Sequence, residues 1–383
     1  MASEGEFSWG GAASTATGLN AIACGVGNDA SGEDGSAFGN FNIASAARSS
    51  AFGYVNQASG TDSSALGNFN LADGVGSNAV GRNNIVLSTN ANAFGGDNTV
   101  TGDSANAVGN SNTASGDHAN AFGNTNTVAG NYATAVGNDN TAQGDASNAF
   151  GRNNIATGIN STTVGNSNQA SDVFAVGLGF GNVASGSVST AVGSFNQASG
   201  ASSVAIGNTN IASGQNSIAL GTVAQATVVN SIAMGSNARA VAQSAMAFGT
   251  NSWAPAQDSV ALGAGSQATA QSAMAFGTNA QATTNGAVAL GQGSIADRGN
   301  AVSVGAAGAE RQIINVAAGT AATDAVNKSQ LVERIAEARI LIDEARLLTL
   351  NAAYKMDTAG NLLGEFPVPT SGGRPRAIMA DPC

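Results

Sequence analysis

Side chains able to do bond-making or metal chemistry are sparse in this chain, and their spacing argues against a catalytic centre. His118 is the single histidine, so neither a histidine-based triad nor a multi-histidine metal site can be assembled; it falls at a corner between repeats and reads as a surface residue. Asp103, Asp117 and Asp145 share one repeat position. Such a column could hold calcium, but the Gly-Gly-x-Gly-x-Asp pattern of calcium-binding β-rolls is missing, and solvated corner carboxylates are the preferred reading. Cys24 sits in an apolar slot and Cys383 ends a polar tail, which offers no disulfide framework. These residues point to no enzyme activity, no cofactor and no metal.

What the chain does hold in quantity is periodic. Stepping by 14 from Gly25 lands on glycine 21 times in succession, through Gly39, Gly53, Gly109, Gly123, Gly207 and Gly235 to Gly305. A period this short and strict means a solenoid, each repeat one coil that cannot bury its apolar groups alone. The residue before each register glycine is apolar, as in Phe38, Phe52, Leu66 and Val108, and the residue two before it is almost always alanine. Alternate side chains of a strand point to opposite faces, so the alanine row must line a narrow lumen and the large row must face outward. A continuous outward stripe of Phe, Val, Leu and Ile exceeds what a soluble monomer usually exposes, and it implies burial against further copies of the chain.

Alanine or valine recurs five past the register glycine, and glycine seven past it in 11 of the first 14 repeats, including Gly60, Gly102, Gly116, Gly130 and Gly144. That second glycine reads as a tight corner with positive φ. Stacking at about 4.8 Å per coil gives a rod of roughly 100 Å. Asparagine stands three past the register glycine in all of the first 14 repeats, Asn112, Asn126 and Asn140 among them. The column reads as an amide ladder along the stack, with a binding array as the alternative. After Asn210 the same column becomes Ala224, Ala238 and Ser252, while the position three before the glycine turns apolar, as in Val204, Ile218 and Ile232. One rod with two repeat subtypes is expected. In Val173–Gly181 a glycine, Gly177, takes the alanine position, which suggests a local kink or bulge.

Net charge is −11, and its distribution is uneven. Up to Glu310 there are 5 basic against 16 acidic residues; beyond it the count is 8 against 8. A rod this poor in Lys and Arg is a poor fit to nucleic acid or anionic membrane. Met1–Gly11 lacks the pattern of a secretory signal peptide, and no apolar run of about 18 residues could span a membrane. Thr99, Thr113, Thr127 and Thr141 form a short column one past the asparagines, the kind of array that could order water on an ice-binding solenoid.

Val204-Ala-Ile-Gly207 and Ser231-Ile-Ala-Met-Gly235 resemble the head repeats of trimeric autotransporter adhesins of the YadA-like type. The run Val304–Gly319, with Glu310-Arg311-Gln312-Ile313-Ile314-Asn315 at its centre, continues into Thr323-Asp324-Ala325-Val326-Asn327 and Gln330-Leu331 and resembles that family's neck. The resemblance spans about residues 20–331. It implies an all-β, left-handed parallel β-roll with three chains per molecule, and adhesion to extracellular matrix proteins or cell-surface molecules. It also implies an extracellular place on a bacterial outer membrane, although neither signal peptide nor membrane anchor stands in this sequence. Glu310, Arg311 and Asp324 would pair across chains in such a neck, whose motif also takes in Asn315, Asn327, Gln330 and Leu331.

From Leu331 apolar residues fall at Ile335, Ala338, Ile342, Ala345, Ala352 and Met356, a 3/4 spacing that suits the seam of a coiled-coil stalk. Residues 335–361 also resemble a C-terminal helix of acyl-CoA dehydrogenases, but no flavin-binding or catalytic portion accompanies them. The expected organisation is a lead-in over 1–19, asparagine-ladder repeats over 20–214 and apolar repeats over 215–308. A neck over 309–331, a helix over 332–358 and an irregular tail over 359–383 follow, the tail suggesting a fragment, a fusion or a rearranged reading frame. The function expected is a non-enzymatic homotrimeric adhesin head; the alternative is a structural spacer or ice-binding rod without a macromolecular ligand.

Overall fold

In the computed structural model, which describes residues 7–9 and 14–358, the repeats form a parallel β-solenoid of about 21 turns. Each turn supplies one strand to each of two sheets. Asn106–Asn110 lies between Asn92–Gly96 and Asn120–Asn124, with Gly109 opposite Gly95 and Gly123. The two-residue strand Thr113–Ala114 lies between Thr99–Val100 and Thr127–Val128. The strict period makes every coil place like residues over like, so side-chain columns follow directly from the sequence.

Strand alternation sorts those columns. Ala107 and Ala114 point into the lumen and are fully buried, as are Ala105 and Asn112 from the turns. Val108 points outward and is 37% exposed. A core of alanine, serine and asparagine is as thick as a lumen of this width allows, so each turn depends on its neighbours for burial.

The backbone turns at two positions seven residues apart, both left-handed: Ser104, Ser111, His118, Thr125 and Tyr132 have φ of 55 to 58°. The register glycines lie in a different region, Gly109 at +121°, which side-chain-bearing residues rarely adopt. The expected positive φ at the second glycine column is not found: Gly60, Gly102, Gly116, Gly130 and Gly144 are absent from the positive-φ residues. Their reason is contact, not torsion. A Cβ on Gly116 would lie 2.3 Å from the carbonyl oxygen of Gly130 in the next turn, while the left-handed corner falls two residues later.

The kink expected near Gly177 is also absent. Val176–Phe180 pairs without a slip on both sides, Gly177 opposite Thr163 and Ala191. Thr163 fills the neighbouring alanine site, buried, its hydroxyl donating to the Asn148 carbonyl at 3.3 Å.

Five-residue strands continue through Ile218–Thr222, and from Ile232–Met234 they shorten to three, then to two at Val302–Ser303. The shortening follows the loss of the asparagine column. At the N-terminal end Phe7–Trp9 pairs with Ile22–Cys24 and Thr15–Ala16 with Asp29–Ala30, so the solenoid already occupies part of the expected lead-in. Contacts divide the chain into residues 1–310 and 311–383. Among its described residues the second unit holds one helix, Lys328–Thr358, which begins four residues before the expected boundary. The tail 359–383 lies outside the described residues.

Candidate functional site

The asparagine column is an inward ladder. Asn126 Nδ2 donates to Asn112 Oδ1 at 3.0 Å, to the Phe122 carbonyl at 3.1 Å and to the Gly137 carbonyl at 3.0 Å. Its Oδ1 accepts from both the backbone N–H and the Nδ2 of Asn140, at 3.1 and 3.0 Å. Every amide points the same way, and the last, Asn210, accepts from the Ala224 N–H at 2.8 Å. These side chains are fully consumed inside the rod, with nothing left for a ligand.

The outward faces carry the features open to a partner. The apolar column before the register glycines stays half-exposed along the rod, from Phe52 to Leu262 and Leu290, the last 49% exposed. Phe38 and Phe52 stack at 4.9 Å within it. Beside it runs a second amide ladder, Asn78 to Asn92 to Asn106 to Asn120, at 2.7, 3.0 and 2.9 Å. From Val176 onward this companion column turns largely apolar, with Val204, Ile218 and Ile232.

The corner aspartates have partners within the stack. Asp103 Oδ1 accepts from the Thr89 N–H and Asp117 Oδ1 from the Asp103 N–H, at 3.2 and 3.1 Å; Asp145 Oδ1 accepts from the Asn131 N–H at 3.0 Å. The residues that share this corner thus cap one another's backbone. His118 stacks on Tyr132 at 4.6 Å. Thr99, Thr113, Thr127 and Thr141 lie in register on the short-strand sheet. Arg48 donates through Nη2 to Asp62 Oδ2 at 2.7 Å. This hydrogen bond, reinforced by the opposite charge, raises the Arg48 pKa and lowers that of Asp62.

One surface feature was not singled out from sequence. At the corner one and two residues past the register glycines, Tyr54 meets Phe41 and Phe69 edge to face, at 6.5 and 5.3 Å. Phe180 meets Phe195 in the same way at 4.9 Å. The signal was available as aromatic residues in fixed register positions.

In the second unit several of the residues expected in a neck bond to the chain's own backbone. Asp324 Oδ2 accepts from the N–H groups of Thr320 and Ala321, at 2.8 and 2.9 Å, and these bonds lower its pKa. Gln330 exchanges two 2.9 Å hydrogen bonds with the backbone of Gly319, and Asn327 Nδ2 reaches the Val316 carbonyl at 3.3 Å. Asn315 has φ of 64°. In the first unit Glu310 accepts from the Gly308 N–H at 2.8 Å, with its pKa lowered for that reason. Asp324 and Glu310 thus have in-chain backbone partners, and Arg311 and Leu331 lie at the surface, Leu331 55% exposed. No helix among the described residues is long and apolar enough to cross a membrane.

A parallel β-solenoid with an outward apolar column, followed by a helix whose apolar residues are all exposed, is the architecture of a fibrous surface-adhesin head leading into a stalk. The YadA head domain repeat matches residues 30–55, 58–84, 114–140, 184–210, 212–238, 240–266, 268–294 and 285–306, together more than half of the chain. The coiled stalk of trimeric autotransporter adhesin matches residues 312–349. The chain belongs to the YadA-like trimeric autotransporter adhesins. The stalk match takes in most of the segment that resembles an acyl-CoA dehydrogenase helix. Among solved structures, the collagen-binding domain of the Yersinia adhesin YadA is 30% identical, over 45% of this chain and 84% of that one, with a TM-score of 0.28. Comparison with curated proteins returned no match.

Proposed function

We propose that this chain is the head, neck and first stalk segment of a homotrimeric cell-surface adhesin that binds extracellular matrix and carries out no catalysis. The observation that carries the trimer is the apolar column: Phe94, Leu262 and Leu290 are 42, 47 and 49% exposed in one chain, and an apolar stripe the length of the rod is stable only when covered. Two further copies, offered by the family's architecture, cover it along its whole length.

The helix supports the same reading. Leu331, Ile335, Ile342 and Met356 are all more than half exposed, a seam that waits for partner helices. Arg311 and Leu331 would then meet neighbouring chains where the head gives way to the stalk. Collagen is the matrix protein to test first, because the similar Yersinia domain is named for binding it. Repeated weak contacts along three identical edges would supply affinity by multivalency.

Light scattering of residues 20–358 should give three times the chain mass, and a monomer would sink the trimer. Immobilised collagen, fibronectin and laminin should capture the trimer in at least one case; capture by none would leave a spacer.

A further inference from the structure

The aromatic residues of the corner past the register glycines form two platforms that share one feature. In each, a glycine with left-handed φ, Gly27 at 66° and Gly181 at 63°, lies directly beneath a phenylalanine of the next turn. A Cβ on Gly27 would come within 2.7 Å of the Phe41 ring, and one on Gly181 within 2.8 Å of the Phe195 ring. The absence of a side chain leaves room for each ring over the backbone, and Phe41 and Phe195 are 54 and 56% exposed. A second aromatic meets each ring at a steep angle, Tyr54 of the following turn for Phe41 at 83° and Phe180 of the preceding turn for Phe195 at 85°. Phe41 and Phe195 are 154 residues apart, a whole number of 14-residue turns, which places them on one edge about 50 Å from each other.

The lane between the platforms is uncharged overall. From Val26 to Thr209 the two corner columns hold two arginines, Arg82 and Arg152, and two aspartates, Asp97 and Asp139, on a rod that is elsewhere strongly acidic. Most of the rest are amides and hydroxyls. Beside the second platform the Ser167 and Thr209 hydroxyls donate to Asn166 and Asn208 Oδ1, at 2.6 and 2.9 Å, which leaves the Nδ2 donors of both amides without a partner among the described residues.

We propose that this edge binds an extended, uncharged polysaccharide. The weakly positive C–H face of a sugar ring stacks on the negative face of an aromatic ring, and the hydroxyls around that ring accept from and donate to asparagine amides. A polyanionic glycan gains nothing from a lane of zero net charge and is repelled by the acidic flanks. Two platforms on a straight edge fit a chain long enough to touch both, and the two contacts reinforce each other. A proline-rich peptide also stacks on aromatic rings but lacks hydroxyls for the amide donors.

The test is electrophoresis of the full chain through native gels holding hydroxyethyl cellulose, dextran or mannan. Phe41→Ala, Phe195→Ala and the double variant run alongside, each checked for oligomeric mass by light scattering. Retardation of the parent protein by at least one polymer is expected, with each single variant weakening it several-fold and the double variant abolishing it at unchanged mass. Free migration in all three gels, retardation that survives the double substitution, or a fall in oligomeric mass on substitution, which would place the rings between chains, overturns the proposal. So does binding of a (Pro-Pro-Gly)10 peptide that the double variant loses while no polysaccharide is bound. Collagen capture retained by the double variant would keep matrix adhesion separate from this edge.

Discussion

Asn327 and Gln330 hold each other across the first turn of the stalk helix. The Gln330 N–H donates to Asn327 Oδ1 at 3.1 Å and the Asn327 N–H donates to Gln330 Oε1 at 3.3 Å. This is a reciprocal capping box, with asparagine as the N-cap of a helix whose first residue is Lys328. Gln330 also ties both backbone groups of Gly319 to that turn. Gln330→Ala should cost about 1 kcal/mol at the helix start and loosen the 316–319 loop with it. Amide exchange at residues 328–331 and at Gly319 should rise together; a rise at the helix alone would show that the loop is held by other contacts.

The turn over Thr320–Asp324 should be acid-sensitive. Backbone hydrogen bonds from Ala321 and Thr320 hold the Asp324 carboxyl below the ordinary aspartate value. Its ionised form therefore stabilises the fold fully above that ordinary value, and the contribution disappears as pH falls through the lower folded value. Carboxyl NMR titration should give a depressed midpoint, shared by the Thr320 and Ala321 amide shifts. Asp324→Ala should remove the amide titration.

Gly109→Ala should be among the most damaging single changes in the rod. The residue sits at φ of +121° and its Cβ would fall 2.0 Å from the Gly123 carbonyl oxygen. Backbone strain and a clash with main chain act together, which sets the cost above about 3 kcal/mol. Because turns stack like a one-dimensional array, the loss should centre on neighbouring turns. Hydrogen exchange should accelerate around residues 95–123 and leave distant turns protected.

Two buried serines in equivalent positions should respond oppositely to alanine. The Ser231 hydroxyl donates to the Val228 carbonyl at 2.6 Å, whereas the Ser203 hydroxyl is buried with no partner among the described residues. The difference follows the residue three earlier: Ser49, Ser231 and Ser259 bond Ala46, Val228 and Ala256, while the unpartnered Ser63, Ser147 and Ser203 follow Gly60, Gly144 and Gly200. Ser231→Ala should cost about 1 kcal/mol, and Ser203→Ala should be neutral or stabilising. Ala91, Ala105 and Ala119 already occupy the same lumen position. Local exchange protection of the two variants provides the comparison.

Much of the fold could be read before any coordinates because the repeat repeats its physics. A column of Ala107, Ala121 and Ala135 two before the glycine has room only for a narrow lumen, and one such inference holds for every turn. Two of the misreadings, at Gly116 and Gly177, concern glycine. Its presence says that a side chain would not fit or would not be needed, and the sequence does not say which. At Gly116 the obstacle is the carbonyl of the next turn; at Gly177 there is no bulge because Thr163 and Ala191 keep the ladder in step.

The sequence by itself determined the period, the columns and the division of each column between lumen and surface, because strand alternation and stacking act on neighbours in the chain and on residues 14 apart. Tertiary structure decided the rest. Only the turn-to-turn contacts show that Asn126 spends its side-chain hydrogen bonds inside the rod, that Asp103 and Asp117 cap backbone, and that Phe41 and Phe195 lie on glycines of the preceding turn. These depend on which way a side chain leaves a corner and on what the adjacent turn presents to it, and both are set by three-dimensional packing.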